Sequence, residues 1–177
     1  MGNRIVVIGS NSFSGASLIR QALEQGDEIL GISRSSENKA CLLPYKWSAQ
    51  DRFQFRQLDL NDHADEIINE IKNFETTHVI NFAAQAMVAE SWQNPEHWYQ
   101  TNVVANVRLH DHLRQMNSLR KYVHISTPEV YGSCSGLVDE SHPFSPSTPY
   151  ATSRAACDMH LLNFFKNYDF PVVFTRA

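Results

Sequence analysis

Short apolar runs recur at intervals along the chain and define its expected secondary structure. Six of them are rich in Val, Ile and Phe, and each is shorter than an ordinary helix, which is typical of central strands in a parallel sheet. The predicted strands cover residues 4–9, 28–33, 53–60, 78–84, 121–127 and 172–176.

Segments with helical periodicity fill most of the intervals between these strands. The predicted helices cover residues 15–25, 62–74, 95–116 and 150–168. Gly26 follows the first helix and Pro171 follows the last, and both residue types commonly end helices. Because strand and helix alternate, we expect an α/β fold in which a doubly wound parallel sheet carries helices on both faces, a three-layer arrangement.

Two stretches interrupt the alternation and are predicted to be long loops. Residues 34–52 follow the second strand, and residues 130–149, which are rich in proline and serine, follow the fifth. Long loops in a compact domain are often functional, and open parallel sheets bind ligands beyond the carboxyl ends of their strands. We therefore expect the second loop to contribute to a site.

Composition limits the classes of function. The chain has 177 residues, of which 42% are hydrophobic and 19% charged, so we expect one soluble domain over residues 1–177. A formal net charge of −4 provides no basic field for nucleic acid or an anionic membrane. The apolar run near the N-terminus is too short to cross a bilayer. We therefore expect neither a nucleic-acid partner nor a membrane partner.

The cysteines and histidines do not form a recognisable metal or disulfide pattern. Cys41, Cys134 and Cys157 are far apart in the chain. His110 and His112 are two residues apart on a predicted helix, so they point to different faces and lack the spacing of a metal-binding pair. We expect a reducing cytoplasm as the location and no metal site.

The first predicted strand ends in a turn that leads directly into a helix. Free main-chain amides at a helix N-terminus attract anions, so the pyrophosphate of a dinucleotide fits above this turn. Its glycines would allow a tight turn and close packing of the helix, and the sequence leaves open whether Ser12 would crowd the pyrophosphate or donate a hydrogen bond to it. The residues of the turn are Gly9, Ser10, Asn11, Ser12, Phe13, Ser14 and Gly15.

Several segments at successive strand ends together resemble the extended short-chain dehydrogenase/reductase family, the NAD-dependent epimerases and dehydratases. They are Gly9-x-x-Ser12-x-x-Gly15, Asp59-Leu60, Ala83-Ala84-Gln85, Ser126-Thr127-Pro128-Glu129-Val130-Tyr131-Gly132 and Pro149-Tyr150-Ala151-Thr152-Ser153-Arg154. Within this family the chain most resembles the nucleotide-sugar 4,6-dehydratases. The resemblance implies that residues 1–177 are an NAD(P)-binding Rossmann-type domain, the N-terminal part of a longer enzyme whose C-terminal substrate portion is missing here.

The resemblance also implies a set of cofactor contacts. The second strand ends without the acidic side chain that would bind the ribose hydroxyls of NAD, whereas Arg34 could hold the 2′-phosphate of NADP. We therefore expect NAD or NADP, with a slight preference for NADP. The predicted cofactor residues beyond the first turn are Ser33, Arg34, Ser35, Asp59, Leu60, Ala83, Ala84, Gln85, Asn102, Tyr150 and Arg154.

The predicted chemistry lies on the loop after the fifth strand and on the helix that follows it. By the resemblance, Thr127 and Tyr150 bind the C4 hydroxyl of the sugar, and Tyr150 removes its proton. Tyrosine is a base near neutral pH only beside a positive charge. Arg154 stands where the family has a lysine; it keeps the charge but cannot relay a proton as lysine can.

Glu129 distinguishes between reactions of the family. The 4,6-dehydratases use a carboxylate at this place to remove the C5 proton, and Pro128 stands where dTDP-glucose dehydratases have an acid, so Glu129 would act as base and then as acid. We expect a dehydratase of nucleotide-diphosphate sugars. An epimerase, a hexuronate decarboxylase and a non-catalytic dinucleotide-binding protein stay open. Gln85 and Ser91 are further predicted substrate contacts, and the helices over residues 95–116 and 150–168 imply a homodimer.

Overall fold

The computed structural model describes residues 2–48 and 51–176. Ala49 and Gln50, which belong to the predicted loop 34–52, lie outside these ranges, as do the first and last residues. Six strands form one sheet with parallel pairing throughout the described residues. They are β1 Arg4–Ile8, β2 Glu28–Ser33, β3 Phe53–Gln57, β4 His78–Asn81, β5 Lys121–Ile125 and β6 Val172–Thr175.

The strand order across the sheet is β3-β2-β1-β4-β5-β6. The chain builds outward from β1 on one side and then crosses to β4 and builds outward on the other. The order therefore reverses between β1 and β4, and open α/β sheets bind ligands beyond the carboxyl ends of the strands at this point. The predicted doubly wound, Rossmann-type parallel sheet is confirmed.

Five strands end earlier than the apolar pattern predicts, and in two of them, β3 and β4, the difference is three residues. β3 ends at Gln57 and β4 ends at Asn81, although the apolar runs continue to residues 60 and 84. Leu60 and Ala83 explain the difference, because both leave the hydrogen-bonded ladder yet still pack on the hydrophobic core. These extensions turn over the end of the sheet and become part of the cleft described below.

Helices lie on both faces of the sheet. They are α1 Phe13–Glu24, α2 Ala64–Asn73, α3 Pro95–Tyr99, α4 Asn106–Leu113 and α5 Pro149–Tyr168. In place of the single helix predicted over residues 95–116, the chain forms α3, a π-helical segment Gln100–Ala105 and α4 in direct succession, ending at Leu113. None of the helices in the described part of the chain has the length and apolar character needed to cross a membrane.

Alternate side chains of the central strands supply two separate cores. On one face, Ile5 and Val7 pack with Ile19 of α1. On the other face, Val6 and Ile8 belong to a cluster that includes residues of α2, α4 and α5. This alternation follows from the two-residue period of a strand, and it gives the three-layer arrangement that the sequence predicts.

Candidate active site

A cleft of about 300 Å³ opens at the carboxyl ends of β1 to β4, where the strand order reverses. Most of the predicted cofactor residues line it: Gly9, Asn11 and Ser12 from the first turn, Ser33, Arg34 and Ser35 after β2, Asp59 and Leu60 after β3, and Ala83, Ala84 and Gln85 after β4. The sequence analysis did not identify other lining residues, namely Ile8, Asn38, Leu58, Asn61, Phe82 and Thr101. Phe13, Ser14, Gly15, Asn102, Tyr150 and Arg154 are not among the lining residues.

The first turn requires both of its glycines. Gly9 has φ +83°, and a Cβ on it would lie 2.9 Å from the main-chain nitrogen of Ala83. A Cβ on Gly15 would lie 2.5 Å from the carbonyl oxygen of Gly9. A Cβ atom essentially never makes contacts this short, so the missing side chains allow the turn to pack against the end of β4 and α1 to pack against the turn.

Ser12, whose role the sequence leaves open, caps α1. Its Oγ accepts a hydrogen bond of 3.0 Å from the main-chain nitrogen of Gly15. The amide of Ala16 donates to the carbonyl oxygen of Ser12 at 2.8 Å. The amide of Ser12 donates to the carbonyl oxygen of Gly9 at 3.0 Å. Among the described residues, this leaves the amides of Phe13 and Ser14 for an anion above the turn.

The segment after β2 is tied to the first turn. The side-chain nitrogen of Asn11 donates to the carbonyl oxygens of Ser35 and Ser36 at 3.0 and 2.9 Å. Ser33 is buried, and its Oγ accepts from the main-chain nitrogen of Asn11 at 3.0 Å. Arg34 is exposed at the edge of the cleft.

The nearest acidic residue after β2 does not reach this cleft. Glu37 accepts a hydrogen bond from the hydroxyl of Tyr45 at 2.9 Å and pairs with Lys46 at 2.8 Å. Its carboxylate is therefore engaged in the 34–48 segment rather than available to a ribose. This leaves Arg34 as the charged group from the end of β2 that lines the cleft.

The segment after β3 forms the far end of the cleft. The carboxylate of Asp59 accepts from the main-chain nitrogen of Asn61 at 2.8 Å, and the amide of Asp59 donates to Nδ1 of His63 at 3.1 Å. The side-chain nitrogen of Asn61 donates to Oγ1 of Thr101 at 3.3 Å. The Asp59 turn is therefore fixed both locally and by the π-helical segment.

The donors and acceptors of the cleft fit a dinucleotide. Oδ1 of Asn11 and Oδ1 of Asn61 are buried and have no hydrogen-bond partner among the described residues. An unpaired buried acceptor costs about 1–3 kcal/mol, so both atoms favour a ligand that brings hydroxyl or amine donors. Ribose and adenine carry such donors, and the free amides of the first turn suit the pyrophosphate.

Asn102 is fully buried and joins three elements. Its side chain accepts from the main-chain nitrogen of Gln85 at 2.8 Å and donates to the carbonyl oxygen of Gln85 at 3.0 Å. It also donates to Oγ of Ser153 on α5 at 3.0 Å. Asn102 therefore fixes the main chain of Gln85, which lines the cleft, and its direct contact with a cofactor stays a prediction.

The predicted sugar-binding loop begins with a tight turn. Thr127 is the N-cap of a 3₁₀ turn over Pro128–Tyr131, and its Oγ1 accepts from the main-chain nitrogen of Glu129 at 3.3 Å. Gly132, with φ +70°, closes the turn, and a Cβ on it would lie 2.0 Å from the carbonyl oxygen of Ser145. The loop therefore folds back on the turn that carries Thr127 and Glu129.

α5 packs against this turn and begins beside it. Thr148 caps the helix by accepting from the amide of Ala151 at 3.0 Å, which puts Tyr150 in the first turn of α5. Val130 and Tyr131 pack on Ala155 of the same helix. The elements that carry Thr127, Glu129 and Tyr150 are thus in contact.

Ser91 has a defined contact within the protein. It is fully buried, its Oγ donates to the carbonyl oxygen of Val88 at 2.6 Å, and the same oxygen accepts from the main-chain nitrogen of Tyr150 at 3.2 Å. Ser91 therefore holds the start of α5. The substrate contact assigned to it from the sequence stays a prediction.

Arg154 is directed into the protein. It is 2% exposed, and its Nη2 contacts the carbonyl oxygen of Ile125 and, at 3.1 Å, Nε2 of His124. Its Nη1 is buried without a hydrogen-bond partner among the described residues. The guanidinium thus binds the end of β5 and keeps one donor unused.

A buried polar cluster lies beneath Arg154. His110, His124 and Cys157 each offer one ligand atom, and these atoms lie within 4.8 Å of one another. Burial lowers the pKa of both histidines and raises the pKa of the Cys157 thiol to about 12. The guanidinium of Arg154 beside His124 opposes a further cation, so we interpret the cluster as packing, with His110 bonded to the hydroxyl of Tyr122 at 2.8 Å.

Comparison with known proteins identifies the family of the chain. The sequence profile of the GDP-mannose 4,6 dehydratase family matches residues 6–177. The protein named "Probable dTDP-glucose 4,6-dehydratase" of Sinorhizobium fredii is 31% identical over 187 residues, which cover 98% of this chain and 52% of that protein.

Solved structures give the same result. The dTDP-glucose 4,6-dehydratase DesIV of Streptomyces venezuelae, solved with NAD bound, has a TM-score of 0.86 and 29% identity, covering 98% of this chain and 55% of that one. The UDP-glucose 4-epimerase of Thermus thermophilus in complex with NAD has a TM-score of 0.84 and 26% identity, covering 98% and 54%. The chain spans about half the length of the curated relatives that it matches. It belongs to the GDP-mannose 4,6-dehydratase family, within the NAD-dependent epimerases and dehydratases of nucleotide sugars.

Proposed function

We propose that the full-length protein is a nucleotide-sugar 4,6-dehydratase that uses NAD or NADP bound in the cleft at the ends of β1 to β4. The observation that carries this proposal is the packing of the Thr127–Glu129 turn against the first turns of α5, where Tyr150 lies. The turn follows the carboxyl end of β5, at the edge of the sheet that bears the cleft. The proposal concerns the full-length protein because the chain covers about half of its relatives.

The cleft residues and the adjoining start of α1 would hold the dinucleotide in a defined direction. The amides of Phe13 and Ser14 suit the pyrophosphate, and Asp59 with Asn61 suits the adenosine. The segment of Ala83 to Gln85, fixed by Asn102, suits the nicotinamide half. When bound, the nicotinamide supplies hydride acceptance from the sugar C4 and hydride return to C6.

The side chains of this chain would move the protons. Thr127 and Tyr150 bind the C4 hydroxyl of the sugar. Tyr150 takes the proton of this hydroxyl while the C4–H bond breaks and C4 becomes a ketone. Glu129 then removes the C5 proton, which the ketone acidifies. The same proton leaves with the C6 hydroxyl as water. The C6 carbon accepts the returned hydride, C5 regains a proton from solvent and Tyr150 releases the proton of the C4 hydroxyl to solvent, so the products are water and a 4-keto-6-deoxy sugar with no net oxidation.

A panel of nucleotide hexoses tests this proposal. The full-length protein should convert one of dTDP-glucose, GDP-mannose and UDP-N-acetylglucosamine to the alkali-visible 4-keto product. Tyr150→Phe should lower the rate by about 100-fold or more. Tyr168→Phe, an exposed tyrosine at the other end of the same helix, is the matched control and should retain the rate. No keto product from any of the three sugars would argue strongly against the proposal.

Glu129→Gln separates the dehydratase from the epimerase. Loss of the carboxylate should stop elimination of water, whereas a 4-epimerase has no need of a base at C5. Glu140→Gln, an exposed residue of the same loop, is the control. An intact rate of epimer formation in Glu129→Gln would establish the epimerase instead.

Arg34 supports the preference for NADP. It is exposed at the edge of the cleft, no carboxylate from the end of β2 lines the cleft, and Glu37 is engaged by Tyr45 and Lys46. Charge-assisted hydrogen bonds are worth about 1.5–3 kcal/mol, so Arg34→Ala should weaken NADP binding roughly 10- to 100-fold and leave NAD binding within about twofold. Arg20→Ala, on the exposed face of α1, is the control. Equal losses for NAD and NADP would refute the 2′-phosphate role.

One observation favours a second candidate, a dinucleotide-binding protein without turnover. Arg154 replaces the expected lysine, and its guanidinium is buried against Ile125 and His124 rather than in the lining of the cleft. In that case the protein would bind NAD or NADP, and the sugar panel would give no product with either cofactor.

We also propose that the full-length protein is a homodimer. Met159, Leu162 and Phe165 are exposed along one side of α5, and Tyr99 and Val104 are exposed on the neighbouring helical segments. Sedimentation of the wild type should give a dimer, and Phe165→Asp should give a monomer. Leu137→Asp, on an exposed loop, should leave the dimer intact.

A further inference from the structure

The buried carboxylate of Asp158 joins the ends of two strands to α5. Its Oδ2 accepts from Oγ of Ser126 at 2.8 Å and from Nη2 of Arg176 at 2.8 Å. Its Oδ1 lies 3.4 Å from Nε2 of His124. Burial acts to raise the pKa of Asp158, but His124, Ser126 and Arg176 outweigh it and hold this pKa below its ordinary value. The group is therefore a carboxylate at neutral pH, as a buried acid with several donors is.

The contact with Ser126 reaches the proposed reactive residues through the main chain. Ser126 immediately precedes Thr127, whose Oγ1 accepts from the amide of Glu129. A shift of Ser126 away from α5 therefore moves Thr127 and changes the start of the turn that carries Glu129. No other link in the described residues ties Oγ of Ser126 to α5.

The contact with Arg176 reaches the same turn from its other end. The guanidinium carbon of Arg176 lies 5.3 Å from the ring centroid of Tyr131 and 5.5 Å from that of Phe144. Tyr131 ends the 3₁₀ turn, and Phe144 belongs to the loop that folds back on it. Asp158 holds Arg176 in this position, so one carboxylate supports both ends of the turn.

We propose that Asp158 is a positioning residue that sets Thr127 and Glu129 relative to Tyr150. This inference rests on the proposed function for its catalytic consequence. Tyr150, Arg154 and Asp158 follow one another at four-residue spacing on α5, so they share a face of the helix. The helix that carries Tyr150 thereby also carries the group that fixes the facing turn, and the carboxylate does this without touching the sugar.

Variants of the full-length protein test the proposal. Asp158→Asn keeps the shape and removes the charge, and Ser126→Ala removes the link to the strand end alone. Asp111→Asn is the matched control, because it also converts a carboxylate paired with an arginine, Arg114 at 2.7 Å, but lies on α4 at the surface. All variants are compared with the wild type well below their melting temperatures.

Two readouts separate positioning from simple stabilisation. In Asp158→Asn, kcat should fall roughly 10- to 100-fold while KM for the sugar and the amount of bound dinucleotide stay within about twofold. Hydrogen exchange in residues 127–132 should accelerate about tenfold or more, without change in the first turn at Gly9 to Gly15. Ser126→Ala should reproduce part of both effects. The double variant Ser126→Ala with Asp158→Asn should have a kcat within about twofold of that of Asp158→Asn alone, because both substitutions remove the same hydrogen bond between Ser126 and Asp158.

The possible failures are distinguishable. Variants with lower melting temperatures but wild-type kcat and wild-type exchange in residues 127–132 would overturn the inference. A wild type that makes no keto sugar would remove the proposed function instead. The exchange comparison alone would then decide whether Asp158 holds the turn: faster exchange in Asp158→Asn supports that, and unchanged exchange overturns it.

Discussion

Gly9 offers a sharp test of how the first turn serves the cleft. In Gly9→Ala the new Cβ would lie 2.9 Å from the main-chain nitrogen of Ala83 and 3.0 Å from the carbonyl carbon of Phe82. Both are main-chain atoms, which cannot rotate away as a flexible side chain can. The end of β4 must therefore move, and Phe82 and Ala83 both line the cleft.

The structure supplies a control with the same backbone strain and no collision. Gly26 has φ +90°, close to the +83° of Gly9, but a Cβ on it would meet nothing within 4 Å. An alanine with this φ costs about 1–2 kcal/mol at either position. Overpacking adds about 1–3 kcal/mol at Gly9 alone, for a total of about 2–5 kcal/mol. If only 1.4 kcal/mol of the added cost falls on binding, the affinity for the dinucleotide drops about tenfold.

Thermal unfolding and dinucleotide titration of the full-length variants measure the two parts separately. Gly26→Ala should unfold at a slightly lower temperature and bind NAD and NADP with wild-type affinity. Gly9→Ala should unfold at a clearly lower temperature and bind both about tenfold more weakly or worse. Equal losses of affinity in the two variants, or wild-type affinity in Gly9→Ala, would refute the link between this turn and the cleft.

Three further predictions follow from buried groups. Arg154→Lys should lower the unfolding free energy by about 1.5–3 kcal/mol, because one ammonium cannot keep the contacts of the guanidinium with both Ile125 and His124. A denaturant titration measures this difference. An unchanged unfolding free energy would contradict the buried position of Arg154. Asn102→Ala should lower the unfolding free energy by about 2–4 kcal/mol and weaken dinucleotide binding, since the main-chain groups of Gln85 lose their partners. Ser17→Ala, which removes one exposed hydrogen bond to the carbonyl oxygen of Phe13, is the reference variant. A smaller drop in melting temperature in Asn102→Ala than in Ser17→Ala would contradict the prediction. Burial lowers the pKa of His110 and of His124, so below about pH 6.5 the unfolded chain binds protons that the folded chain does not. Urea titrations should therefore show that the unfolding free energy decreases as the pH is lowered from 7.5 to 5.5, by up to about 1.4 kcal/mol per pH unit for each histidine. An unfolding free energy that is independent of pH in this range would contradict neutral imidazoles in the folded state.

The layers of the fold follow from sequence periodicity, whereas the direction of a long side chain does not. Alternation of short β-branched runs with amphipathic segments is enough to predict the sheet and its two helical layers. The position of Arg154 one turn after Tyr150 gives its face on α5, but its partner depends on β5, which is distant in the chain. His124 and the carbonyl oxygen of Ile125 attract the guanidinium inward, and neither contact has a local signature.

Small polar residues were the hardest to assign from sequence. Ser12 and Ser91 both carry a hydroxyl near the predicted site, and both use it to hold a helix start, Ser12 that of α1 and Ser91 that of α5. Asn61 was missed although a signal existed. An Asp at a strand end commonly accepts a hydrogen bond from the main-chain nitrogen two residues on, and here that residue is Asn61, which lines the cleft.

The π-helical segment Gln100–Ala105 means that this helical stretch contains one residue more than an α-helix of the same path would need. Removal of one residue, for instance Val104, would allow regular α-helical hydrogen bonds. It would also rotate the residues before the deletion by about 100° around the helix axis relative to α4. Trp98 would leave its buried site, and Asn102 would turn away from Gln85. The geometry of the cleft therefore depends on the number of residues in this segment as well as on their identity. A deletion in the segment should be tolerated less well than a substitution at the exposed Val104.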